Sequence, residues 1–187
     1  MASEGGGLRV HNLAMSLDGY VAGPDQDRER PLGAGGERLH DWAFATRTIR
    51  RQFGMEGGVS GGPDDDALRA GIEGIGATIM GRNMFGPVRG PWGDEDWRGW
   101  WGPRPPFGHP VFVLTHHARP PLEMEGGTVF HFIDASPQEA LNLAREAAGD
   151  LDVRIGGGPT VVRDFLAAGL IDTLHVVQVP ILSLIHI

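Results

Sequence analysis

The apolar positions of this chain change period from one segment to the next, and the changes outline alternating strands and helices. Residues 8–17 alternate loosely between apolar and polar, as a strand with one covered face does. Asp18-Gly19 is a turn signal, and Tyr20-Val21-Ala22 resumes an extended path before Gly23-Pro24. Trp42, Ala45, Ile49 and Phe53 recur at helical spacing and predict a helix over 40–53. The glycines at 54, 57, 58, 61 and 62 predict a mobile loop. Asp64-Asp65-Asp66 opens the next helix, where acids complement the dipole; that suffices to explain the run, and a metal site is the weaker reading.

Ala77-Thr78-Ile79-Met80 reads as a buried strand, and residues 87–106 as a loop rich in Gly, Pro and Trp. Residues 111–115 are continuously apolar, as in a strand covered on both faces, and 128–133 form another strand. Ser136-Pro137-Gln138-Glu139 matches a capping box, whose helix runs to 148 and ends at Gly149. A strand over 151–155, a helix over 161–168 capped by Gly169 and a strand over 173–179 complete the series. Alternation of this kind predicts an α/β fold with a largely parallel sheet and helices on both faces.

Composition narrows the chemistry. The chain has 187 residues, 41% of them hydrophobic, which predicts one soluble globular domain. A net charge of −8 and the lack of a basic stripe argue against a nucleic-acid partner. There is no cysteine, so disulfides, thiolate catalysis and cysteine–zinc sites are excluded. All 16 basic residues are arginines; a Walker-A loop and Schiff-base chemistry, which need a lysine, are excluded as well. No apolar run reaches the roughly 20 residues of a membrane span, and the acidic, glycine-rich start is not a signal peptide. The expected setting is cytoplasmic, with no membrane partner.

Ile155-Gly156-Gly157-Gly158-Pro159-Thr160 carries the most information. It joins a strand to a helix, its glycines let another group approach the backbone, and Pro159 suits the first helical position. Free N–H groups and the helix dipole there favour an anion such as a nucleotide phosphate, although a tight turn without a ligand has the same residues. Two more strand ends should lie at the same edge, Met80-Gly81-Arg82 and Leu114-Thr115-His116-His117. Arg82 could take a phosphate bidentately or form a surface ion pair. Adjacent histidines point to opposite faces, which speaks against a shared metal; one could touch a phosphate or sit in a solvated turn.

Trp92, Trp97, Trp100 and Trp101 crowd one loop. Two are expected to anchor it to the core and one or two to wall a cleft. Asp41 starts the 40–53 helix as a capping acid; facing a cleft and buried against Trp42, it would have a raised pKa and could donate a proton. Asp18 reads better as a turn residue.

Taken in order, Met15-Ser16-Leu17-Asp18-Gly19-Tyr20-Val21-Ala22-Gly23, Ile79-Met80-Gly81-Arg82-Asn83-Met84-Phe85, Val113-Leu114-Thr115-His116-His117 and Ile155-Gly156-Gly157-Gly158 resemble the dihydrofolate-reductase-like family. The nearest branch is the reductase domain of the bifunctional riboflavin-biosynthesis deaminase-reductase and its stand-alone bacterial relatives. The resemblance covers about residues 8–181. It implies a dihydrofolate-reductase-like three-layer fold, a homodimer and NADPH.

On this resemblance Gly156, Gly157 and Gly158, following Ile155, match the turn against the diphosphate and nicotinamide, and Thr160 and Val161 begin the helix after it. Gly81, Arg82 and Asn83 match the turn near the phosphates of the adenosine half, with Arg82 suited to the 2′-phosphate. Leu114, Thr115 and His116 match the strand end beside the adenine ribose, and Ala14, Val21 and Ala22 lie near the nicotinamide ring. Asp41 resembles the acid of dihydrofolate reductases, a position the riboflavin branch does not share reliably.

The implied reaction is hydride transfer to a carbon–nitrogen double bond or its sugar tautomer. The implied substrate is 5-amino-6-(5-phosphoribosylamino)uracil, with a pterin or a non-catalytic nucleotide-binding role as alternatives. Lacking the zinc cysteines of the deaminase half, the chain is expected to be a stand-alone member. Residues 1–7 are expected to be disordered. Residues 182–187 depart from the family pattern and are expected to be a truncated or non-native end.

Overall fold

A computed structural model describes residues 6–87, 89–93 and 97–182. The expectations for residues 1–5 and 183–187 lie outside these. Nine residues of strand β1 (Leu8–Ser16) open the fold. Helices α1 (Asp41–Phe44), α2 (Arg47–Gln52) and α3 (Pro63–Ala70) follow a short 3-10 turn, Gly36–His40. Next come β2 (Ile75–Gly81), α4 (Arg82–Phe85), β3 (Pro110–Leu114), β4 (Leu122–Glu123) and β5 (Val129–Ile133). The chain ends with α5 (Pro137–Ala148), β6 (Asp152–Ile155), α6 (Pro159–Ala167) and β7 (Thr173–Val179).

The strand order is β4-β5-β3-β2-β6-β1-β7. β2 pairs in parallel with β3 and β6, β3 with β5, and β1 with β6; the short β4 pairs antiparallel with β5. The fold is α/β, with a seven-stranded, mostly parallel sheet and helices.

The chain divides into two compact units. The first comprises residues up to Val10 and Gly74–Leu174. In it α5 packs on β2, β3 and β6, α6 on β2, and α4 on β2 and β3. Met80, Phe85, Val111, Val113, Met124, Phe130 and Phe132 form one buried cluster, joined by Trp92, Trp97 and Trp101. The capping box at Ser136 is formed as the sequence predicts: the Ser136 backbone N–H donates to Glu139 Oε2 at 2.9 Å, and Ser136 Oγ accepts from the Glu139 backbone.

The second unit comprises His11–Glu73 and residues from His175. Its core brings Ala14, Leu39 and Val179 together, with Trp42, Val177 and Ile181 against them.

Several local expectations are corrected. The single helix over 40–53 is two, because Thr46 is extended (φ −90°, ψ 155°) and caps α2. Backbone groups at 45–47 turn to Val59 instead: Val59 N–H donates to Ala45 O at 2.9 Å and Arg47 N–H to Val59 O at 2.8 Å. The turn expected at Asp18-Gly19 is formed, closed by Ser16 N–H on Tyr20 O at 2.8 Å, and the extended path expected over residues 20–22 joins no strand. β4, two residues long, is too short to show periodicity. Gly6 and Gly7, expected to be disordered, are held against β6. Gly7 N–H donates to Asp152 Oδ1 at 2.6 Å, and a Cβ on Gly6 would lie 2.1 Å from Leu151 O. Within the acid run at α3, Asp65 accepts from the backbone N–H groups of Gly61 (3.0 Å) and Thr48 (2.9 Å), which hold its carboxyl below its ordinary pKa.

Candidate functional site

Parallel pairing lines up the three strand ends singled out in the sequence. Gly81 lies opposite Leu114 and Ile79 opposite Ile155, so the ends of β2, β3 and β6 share one edge of the first unit. Gly81, Arg82, Thr115, Gly156, Gly157, Gly158 and Val161 therefore come together although they are distant in sequence. A Cβ on Gly81 would meet Val161 Cγ2 at 3.0 Å, and one on Gly158 would lie 3.7 Å from Gly81 N. Gly156 is tighter, with Thr78 Cγ2 at 2.8 Å from its would-be Cβ. Gly157 and Gly158 have φ of 139° and 93°, in the region that favours glycine. Pro159 takes the first turn of α6, as its fixed φ allows. Packing and backbone conformation thus explain part of the glycine run without a ligand.

Arg82 is different. Its Nη1 donates to Thr115 Oγ1 at 3.2 Å, and its guanidinium carbon lies 3.8 Å from the centre of the Trp92 ring. Its Nε and Nη2 are shielded from solvent and meet no acceptor among the described residues. Burial lowers the pKa of the guanidinium, but an arginine so far from neutrality keeps its charge. A shielded cationic donor edge without an acceptor costs roughly 1–3 kcal/mol or more, and an anion supplies the missing partners. The residues present therefore fit a phosphate-bearing group.

The other predicted positions fall as follows. Leu114 ends β3, Thr115 is buried just after it, and Asn83 is exposed on α4. His116 is solvent-facing and bonded through Nδ1 to Asp134 Oδ1 at 2.9 Å. Ile155 and Val161 are buried and Thr160 is exposed. Ala14, Val21, Ala22 and Asp41 belong to the second unit. There Ala22 lines a cavity of about 20 Å³ with Ser16, Tyr20, Gly35 and Leu39, room for roughly one water. Ser16 Oγ donates to Asp18 Oδ1 at 2.6 Å, so Asp18 closes its turn as expected.

Asp41 starts α1 with its side chain exposed, while Trp42 packs into the Ala14–Leu39–Val179 cluster. The expected burial against Trp42 is not present, because α1 is only one turn long and directs Trp42, not Asp41, inward. Three of the loop tryptophans pack on the core rather than two: Trp92, Trp97 and Trp101, with Trp97 Nε1 donating to Phe85 O at 3.2 Å. Trp100 stands edge-on against Trp97 at 4.9 Å. Residues 88 and 94–96 of that loop lie outside the described residues.

Sequence reasoning missed Trp92 and His117 as parts of the Arg82 environment. Trp92 Nε1 donates to His117 O, and His117 N–H donates to Thr115 Oγ1 at 3.1 Å. The clustering of tryptophans was the available signal, but not which one would meet Arg82. Among the described residues no group of three metal-ligating side chains converges, and no helix is long and apolar enough to cross a membrane.

Comparison with known proteins agrees with the motif order. No protein of curated function matches. The chain is similar to the crystal structure of a protein named "Putative riboflavin biosynthesis protein" from Shewanella sp. PV-4, with a TM-score of 0.49 and 22% identity; the match covers 92% of this chain and 77% of that one. The RibD C-terminal domain profile matches residues 10–183, and the chain belongs to that family.

Proposed function

We propose that this chain is an NADPH-dependent reductase of a small heterocycle, acting on a pyrimidine riboside phosphate of the riboflavin path. Membership of the RibD C-terminal domain family supports a reductase. The observation that carries the cofactor reading is the Nε–Nη2 edge of Arg82 at the end of β2, which has no partner among the described residues. In this reading Arg82 holds the 2′-phosphate, and Thr115 fixes the other side of its guanidinium. The backbone at Gly156–Gly158 lets the diphosphate approach, and the first turn of α6 presents free N–H groups to it. When bound, the cofactor supplies the hydride; the protein holds the reacting groups together and excludes water.

Titration with NADPH and NADH, followed by turnover assays with the uracil riboside phosphate and with dihydrofolate, tests the proposal. Preferential NADPH binding with turnover of the uracil compound is the expected result. Absence of NADPH binding would sink it, and turnover of dihydrofolate alone would replace the substrate with a pterin. One observation favours a second reading, a nucleotide binder without turnover: Asp41 is exposed rather than buried against Trp42. NADPH binding without turnover of either substrate is its signature.

A further inference from the structure

We propose that Trp92 is a positioning residue for Arg82, and that it sets how strongly the chain prefers a 2′-phosphorylated dinucleotide over the unphosphorylated one. This rests on the NADPH reading above. Discrimination by an arginine depends on the plane of its fork, because all five N–H donors lie in that plane. With the guanidinium carbon 3.8 Å from the Trp92 ring centre, the indole supplies a flat support beneath it. Thr115 Oγ1 occupies Nη1 at 3.2 Å. Nε and Nη2 remain, the adjacent pair whose parallel N–H bonds suit two oxygens of one phosphate.

Trp92 is itself pinned. Its Nε1 donates to His117 O, and His117 N–H donates to the same Thr115 Oγ1 that receives Arg82. Arg82, Thr115, His117 and Trp92 thus close a ring of contacts. The indole also packs edge-to-face with Phe132 and Phe85, ring centres 5.2 Å and 5.9 Å apart, so the ring cannot turn without disturbing the core. On its outer side lies an open cavity of about 520 Å³ bordered by Trp92, His117 and Arg119. The Arg119 guanidinium carbon is 5.1 Å from the Trp92 ring centre, adding positive charge at this edge. A leucine at position 92 would fill part of the space but leave Arg82 free to swing, and a swinging fork loses its advantage for phosphate.

The test measures dissociation constants for NADPH and NADH by calorimetry, with melting curves, in the wild type, Trp92→Phe and Trp92→Leu. The expected result is that Trp92→Leu lowers the NADPH-over-NADH preference about tenfold, mainly by weakening NADPH, while Trp92→Phe stays within about threefold of the wild type. Equal weakening of both dinucleotides in Trp92→Leu, or a Trp92→Phe variant as unselective as the leucine one, overturns the proposal. If the leucine variant does not fold, Trp92→Met is read by the same criterion. A wild-type chain without preference for NADPH overturns the cofactor reading, and this proposal with it. An intact preference that the substitutions leave unchanged overturns this proposal alone.

Discussion

Arg82 rests on Trp92 with its guanidinium carbon 3.8 Å from the ring centre, and its Nε and Nη2 are shielded without an acceptor among the described residues. An unsatisfied cationic edge weakens the folded state, so removing it should cost ligand binding more than stability. Arg82→Ala is expected to weaken NADPH about 10–100-fold and NADH much less, with little change in the urea midpoint of the ligand-free chain. Equal weakening of both dinucleotides would show that Arg82 does not meet the 2′-phosphate.

Gly156 and Thr78 are packed too closely for a side chain between them. A Cβ on Gly156 would lie 2.8 Å from Thr78 Cγ2, so Gly156→Ala should destabilise by about 1–3 kcal/mol. Thr78→Ser removes that methyl and keeps the hydroxyl that meets His109 Nε2 at 2.8 Å. The double variant should recover on the order of 1 kcal/mol in a denaturation cycle. Strictly additive losses would place the Gly156 constraint elsewhere.

His109 gives the fold an acid limb. Burial, aided by the positive charge of Arg154, lowers its pKa from 6.5 to about 4. Within that window the unfolded chain binds a proton that the folded chain does not, so stability is full above the unfolded pKa and falls as pH drops toward the folded one. Allowing for partial exposure, the loss is on the order of 2 kcal/mol. His40 is also lowered by burial, with Asp41 opposing, and acts in the same direction. Urea denaturation near pH 7 and near pH 4 should show the loss, and His109→Gln should reduce it. An unchanged acid limb in that variant would assign the effect to other groups.

Among the described residues strand β7 stands at the end of the strand order beside β1, and Val176 on it is 37% exposed. An edge strand with an exposed apolar side chain favours pairing with a second copy. The homodimer expected from the family resemblance should therefore appear in sedimentation, and Val176→Lys should shift it toward monomer. A wild-type chain that sediments as a monomer at tens of micromolar, or a dimer indifferent to Val176→Lys, would rule this surface out.

Most of the sheet was legible because its signals are local. The apolar run at β3 and the capping box at Ser136 each lie within a few residues, and β7 is found over its predicted span. Where the reading failed, a distant partner had won. Thr46 breaks the expected helix because Val59 takes the backbone bonds around it, and Gly6 and Gly7 are ordered because β6 holds them. Asn12 sits in β1 with φ 59°, a left-handed residue inside a strand, where its Nδ2 donates to Ala67 O at 3.2 Å and its Oδ1 lies 3.1 Å from His175 Nδ1. Nothing in the neighbouring residues signals that bend.

The alternation of strands and helices, the lack of lysine and cysteine, and the motif order that carries the family are all properties of the linear chain. Each depends on composition or on spacing along the chain. Which tryptophan supports Arg82, which glycines packing demands, and the exposure of Asp41 emerge only once the chain is folded. Those outcomes depend on register between strands and on which side chains meet across tens of residues. Thr115 reaches Arg82 and Trp92 reaches His117 only because parallel pairing sets Gly81 beside Leu114.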